Sequence, residues 1–161
     1  LCLNEERWDF FPAYVLISAQ CHAVISDRKD KLMSTDPIGT WHQLAKTRDE
    51  RGLDDLLADD AVFFSPVVHS PQVGKAVTKK YLAAAFQIFC NESFRYVHEL
   101  RGDRDAVLEF ELELDGIRVN GVDMIKWNDA GRIVEFKVML RPLKAVNLIH
   151  QKMAAMLQAS A

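Results

Sequence analysis

The dipeptide Asp115-Gly116 fixes where one carboxylate points. Flanked by alternating apolar and polar residues, it is a strong signal for a two-residue hairpin turn, and that turn sets the strand register. Leu114 then faces Ile117, Leu112 faces Val119, Phe110 faces Gly121 and Leu108 faces Asp123. One sheet face therefore carries Ala106, Leu108, Phe110, Leu112 and Leu114 beside Ile117, Val119, Gly121, Asp123, Ile125 and Trp127, and Asp123 is its sole polar member. The opposite face pairs Glu113 with Arg118, Glu111 with Asn120 and Glu109 with Val122. A one-residue slip would bury the glutamates, so the register is well determined. A carboxylate among apolar side chains is costly when ionised, and its pKa rises unless a cation or several donors meet it. A raised pKa suits a general acid, or a neutral carboxyl donating to a developing oxyanion. The competing reading is a structural Asp bonded to backbone or to an inward Arg or His.

His98 shares the predicted apolar face of its strand with Phe94, Tyr96 and Leu100, while Arg95 and Glu99 take the other face. It is expected either as a proton-transfer partner for Asp123 or as a satisfied core histidine. His69, in the loop between Pro66 and Pro71, is expected near the mouth of a pocket, either as a ligand contact or as a solvent-exposed residue. Trp41, Tyr81, Phe86, Phe110 and Trp127 are expected to form the pocket walls and contact the ligand, and the Tyr81 hydroxyl must find a partner. His42 and His150 read as solvent-facing, and Arg141 as a solvated strand end. No His and carboxylate spacing suggests a metal, and no cofactor is expected.

The elements that position these groups follow from periodicity. Asp36 caps a helix with Pro37 at its first position, and Gly52 is expected to end it. Leu53, Leu56 and Leu57 make a short second helix closed by Asp59-Asp60, and Ala61 to Ser65 is extended. A third helix spans about Gly74 to Cys90, with Val77, Tyr81, Ala84 and Ile88 along one stripe. After Cys90 the period changes from helical to alternating. Strands are expected over Phe94 to Leu100, Ala106 to Leu114, Ile117 to Trp127 and Ile133 to Leu140. Pro142 opens a last amphipathic helix with Leu143, Val146, Ile149, Met153 and Leu157 at helical spacing. Helices, then a run of antiparallel strands, then one helix make an α+β fold rather than a βαβ one.

Composition narrows the partners. The net charge of −3 and the lack of any Lys or Arg block weigh against nucleic acid and anionic lipid. Cys2, Cys21 and Cys90 are odd in number and widely spaced, which argues against a disulfide framework and for a reducing compartment. No apolar run approaches a bilayer span. A cytoplasmic location is expected. Residues 1–32 read as an N-terminal extension, possible upstream sequence in frame, because Met33-Ser34-Thr35-Asp36-Pro37 looks like an ordinary start followed by a cap. The domain proper is then 33–161.

Three segments carry a resemblance: Leu57-Ala58-Asp59-Asp60-Ala61, the loop from Ser65-Pro66 to Gly74, and Val122-Asp123-Met124 leading to Gly131-Arg132-Ile133. Over residues 37–157 the chain resembles the nuclear transport factor 2-like superfamily, and within it SnoaL-like domains, which include polyketide cyclases, ketosteroid isomerases and epoxide hydrolases. The resemblance implies a cone, in which a curved, mainly antiparallel sheet wraps around the N-terminal helices and leaves an apolar pocket. It also implies a homodimer through the outer sheet face. Asp123 falls where ketosteroid isomerases place the acid of their oxyanion hole. Their base carboxylate falls on Ser65, and their tyrosine partner falls near Trp41 or Ala45, neither of which has a phenolic hydroxyl. Those departures weigh against steroid isomerisation. The second carboxylate of the epoxide-hydrolase variant falls around Val138, which weighs against that reaction as well.

Three functions are compatible with these residues. One is acid/base chemistry on a mostly apolar small molecule, cyclase- or isomerase-like, with Asp123 as acid or oxyanion donor. Another is a non-catalytic ligand-binding domain. A third is a protein-interaction domain using an exposed apolar patch on the last helix or around Val122 and Met124.

Overall fold

The computed structural model describes residues 36–159. The expected N-terminal extension, with Cys2 and Cys21, lies outside the described residues. The element order is α1 (Pro37–Thr47), α2 (Leu53–Leu56), β1 (Leu57–Phe64), β2 (Gln72–Val73), α3 (Lys75–Phe89), β3 (Arg95–Arg101), β4 (Asp105–Leu114), β5 (Ile117–Trp127), β6 (Ile133–Arg141) and α4 (Leu143–Ala159). The strands form one sheet in the order β2-β1-β6-β5-β4-β3, antiparallel except for β1 beside β6. The α+β reading therefore holds, with one parallel pairing added.

The β4–β5 hairpin has the register expected from its turn, from Leu114 opposite Ile117 to Leu108 opposite Asp123. Asp115 and Gly116 both adopt positive φ, 49° and 73°, as a tight turn matched to the strand twist requires. Gly121 lets a ring approach closely: a Cβ there would lie 2.3 Å from Cζ of Phe110 on the facing strand. On the inner sheet face, Leu108, Phe110, Val119, Ile125 and Phe136 are almost fully buried against the helices. Thr78 is buried too, and its hydroxyl donates to the Ala61 carbonyl at 3.2 Å, tying α3 to β1.

Several boundaries differ from expectation. Helix α1 ends at Thr47, and Arg48 rather than Gly52 takes the left-handed conformation, with its amide bonded to the Leu44 carbonyl. Asp59 and Asp60 do not close a helix. They lie within β1, both exposed, where the pairing with β6 shifts register. The buried side of α3 includes Thr78, Leu82 and Phe86, with Ala84 and Ile88 from the expected stripe, whereas Val77 and Tyr81 are only half-buried. Leu143 stands exposed at the start of α4, while Ala145, Ile149 and Met153 are buried.

Strand β3 departs most. Its pairing with β4 carries a bulge between Tyr96 and His98, which leaves Val97 without a partner of its own. Past that point Glu99 aligns with Leu108 and His98 with Glu109.

Candidate functional site

Asp123 is 6% exposed and, with Thr78, makes up the buried polar side chains among the described residues. Strand β5 presents it between Leu108 on β4 and Val138 on β6. Its Oδ2 accepts a hydrogen bond from the Tyr96 hydroxyl at 2.8 Å. The Tyr96 oxygen in turn accepts from Trp41 Nε1 at 2.7 Å. Where Asp123 is ionised the direction of this chain is fixed by chemistry, because an indole N–H can only donate and a carboxylate can only accept. In that form the Tyr96 proton is committed to Asp123. Among the described residues no hydrogen bond reaches Oδ1.

Burial raises the Asp123 pKa to about 7, and the bond from Tyr96 pulls the other way without cancelling that rise. Burial also carries the Tyr96 phenol well above its usual range, and the neighbouring Asp123 charge adds to that. Tyr96 is thus a neutral donor throughout the range in which Asp123 titrates.

The pair borders a cavity of about 170 Å³. Trp41, Phe86, Phe110 and Phe136 form much of its wall, and among the described residues Asp123 is the one carboxylate on it. Trp41 packs against Phe136 and Phe86 at ring-centroid distances of 4.6 and 5.2 Å, and Phe63 stacks on Tyr81 at 5.2 Å. Aromatic packing of this kind fixes the wall at a modest entropy cost.

Of the residues singled out from the sequence, Asp123, Trp41, Tyr81, Phe86 and Phe110 meet at this cavity. His98 does not: the bulge turns it to the outer face, where it is exposed and lies opposite Glu109. His69 is exposed as well, and the preceding loop residues Ser65, Pro66, Val67 and Val68 line the cavity in its place. Trp127 is half-buried against the core but does not line the cavity. It lies four residues along the strand from Asp123, about 13 Å at the usual rise, and the β5–β6 register shifts just before it.

Tyr96 and His150 line the cavity beyond the residues expected there. Tyr96 was placed on an inward face without a partner for its hydroxyl, and the need of an inward phenol for a hydrogen bond was the available signal. His150 is exposed, as expected, yet it lines the cavity with Met153, Ala154 and Leu157, spaced as one face of α4. Ser65 lines it too, and its Oγ accepts from the Val67 amide at 3.2 Å. Cys90 also lines it, and burial pushes its thiol up to about 11, away from a reactive thiolate. No cluster that would hold a metal ion occurs among the described residues, and no helix among them is long and apolar enough to cross a membrane.

A family model described as the SnoaL-like domain matches residues 38–136. A steroid delta-isomerase from Pseudomonas aeruginosa is 36% identical with a TM-score of 0.73, over 77% of this chain and 90% of that one. An uncharacterized bacterial protein with a cystatin-like fold from Silicibacter pomeroyi DSS-3 is 30% identical with a TM-score of 0.69, over 74% of this chain and 83% of that one. A protein described as a SnoaL-like polyketide cyclase from Shewanella denitrificans OS-217 shares the fold at 16% identity and a TM-score of 0.54, over 79% of this chain and 98% of that one. No curated protein matches the sequence. Proteins described as NTF2-like share the fold, and by its matched length, and by its identity to the isomerase across most of both chains, this chain belongs to the SnoaL-like domain family.

Proposed function

We propose that the domain binds a mostly apolar small molecule in the cavity and performs acid/base chemistry on it, isomerase- or cyclase-like, with Asp123 as the acid or oxyanion donor. The observation that carries this is the carboxyl group itself, alone of its kind on an aromatic wall and with Oδ1 left for a ligand. With a pKa of about 7, a large share of Asp123 is protonated at neutral pH, so Oδ1 can donate to a ligand oxygen. Charge developing on that oxygen is stabilised in a site from which water is largely excluded. Tyr96 works through Asp123, since its own proton is already engaged.

Ser65 stands where an isomerase-type base carboxylate falls by resemblance, and an unactivated hydroxyl does not remove such a proton. The substrate must then bring an acidic C–H of its own, as a 1,3-dicarbonyl compound does, whose proton passes to water at the cavity mouth or to the ionised share of Asp123. Cavity size points the same way. An apolar cavity of about 150 Å³ in another protein takes a benzene ring. The space here suits one or two rings, and a four-ring steroid would extend well beyond it. The isomerase relative therefore supports the reaction type more than its substrate.

A thermal-shift screen of cyclic ketones and 1,3-dicarbonyl compounds, repeated on Asp123→Asn, tests this reading. Ligands of the native state raise its melting temperature. Retained binding with lost turnover supports catalysis by Asp123. Retained binding with no turnover in either protein supports the alternative of a non-catalytic ligand-binding domain.

We also infer that two copies pair through the outer sheet face. Leu100, Met139, Val97 and Met124 are exposed there at 59, 53, 44 and 39%, an apolar set on a face that water would otherwise cover. Light scattering of the Met124→Glu, Met139→Glu double variant checks this: a dimer that persists would leave the patch for another protein partner.

A further inference from the structure

We propose that Glu99 and His42 are positioning residues, parts of a clamp between β3 and α1 that holds the Tyr96 hydroxyl on Asp123. This builds on the reading of Asp123 with Tyr96 as the polar end of the ligand site.

The clamp originates in the bulge at Val97. By aligning Glu99 with Leu108, the bulge turns Glu99 to the inner side of the sheet, toward α1. There His42 donates from Nε2 to Glu99 Oε2 at 2.7 Å. The His42 ring also meets the Tyr96 ring edge-on, with centroids 4.8 Å apart and planes at 79°. Arg101 bonds Glu99 through Nε, and its Nη1 bonds the two oxygens of Asp36 at 3.1 and 3.0 Å. Asp36 is the N-cap of α1, where its side chain accepts from the Ile38 amide. The helix that carries Trp41 is thus tied at its start and at its second turn to the strand that carries Tyr96.

Packing around Tyr96 is incomplete on this side. A hollow of about 330 Å³ opens there, lined by Tyr96 together with His42, Lys46, Asn91 and Arg95. On this side the ring is met by the edges of His42 and Phe94, with centroids 4.8 and 5.1 Å away. Ion pairs this exposed add little to global stability, so the clamp's effect belongs to orientation. Partial burial works against ionisation of Glu99, but the bonds from Arg101 and His42 hold its carboxyl below the ordinary value, so it remains an acceptor at neutral pH.

The test is a carbon-13 NMR titration of the Asp123 carboxyl in the full chain without ligand. Tyr96 donates to the charged form of Asp123, so loosening Tyr96 raises the Asp123 pKa. Tyr96→Phe sets the scale, an increase of about one pH unit or more for a hydrogen bond to a charged group. Glu99→Ala is expected to give about half that increase. Removing a negative charge would by itself lower the Asp123 pKa, so field and orientation act with opposite signs in this variant. Glu99→Gln, whose amide oxygen still accepts from His42, should stay near the wild type. A fall or no change in Glu99→Ala overturns the proposal, and so does Glu99→Gln behaving like Glu99→Ala. No ligand enters this experiment, so its failure is separate from that of the Asp123→Asn turnover test.

Discussion

The β4–β5 hairpin and the β3 edge of the same sheet obey one alternation rule and end differently. In the hairpin, positive φ at Asp115 and Gly116 locks the turn, and the register runs unbroken for ten pairs to Asp105 opposite Lys126. Each side chain lies on the face that its distance from the turn dictates. On β3 the same rule places Phe94 and Tyr96 correctly and fails one residue later, because Val97 is inserted as a bulge. His98 turns outward and Glu99 turns inward. Alternation is reliable over the length of an unbroken ladder, and a single unpaired residue inverts everything beyond it.

The comparison is tested hardest at Asp123. Its folded pKa, about 7, lies above its unfolded value of 3.8, so the native state holds the proton more tightly. Stability from the neutral carboxyl is fully present below pH 4 and is lost as pH rises toward 7. Asp123→Asn stays neutral throughout. It is expected to be more stable than the wild type above pH 7 by about 4 kcal/mol, with the gap closing toward pH 4. Urea unfolding of both proteins at pH 4.5 and pH 8, as chosen conditions of roughly opposite protonation, measures it; equal stability at the higher pH would place Asp123 in water.

A smaller effect is expected at Gly121. Gly121→Ala forces Phe110 and Leu140 aside, since Cβ would sit 2.3 and 2.7 Å from their side chains. Overpacking of this kind costs about 1–3 kcal/mol, and the melting temperature should fall accordingly. An unchanged value would mean that the hairpin face is looser than its register implies.

The smallest effect is expected at the other end of the comparison. His98→Ala on the outer face should change stability by no more than about 0.5 kcal/mol and leave the Asp123 titration where it is. A displaced Asp123 titration would restore the inward His98 that alternation alone predicts.

Much of the fold was legible because it rests on local signals: the Asp36-Pro37 cap, the Asp115-Gly116 turn, the change of period after Cys90, and the Pro142 boundary. The burial of Asp123 was legible for the same reason, since a turn and a period of two suffice to give its face. Tyr96, by contrast, needed two elements at once. Its hydroxyl meets Trp41 and Asp123, 55 and 27 residues away in sequence, and no short-range pattern encodes such a meeting.

The sequence by itself determined which elements form and that one carboxylate must face apolar side chains, because capping, turn geometry and strand periodicity act within a few residues. Tertiary structure alone decided that β1 runs parallel beside β6, that β3 bulges at Val97, and that α4 brings His150 to the cavity. Those outcomes depend on how twisted strands and helices close around a shared core. That is a matter of packing among residues far apart in the chain, where one displaced side chain changes what its neighbours can reach.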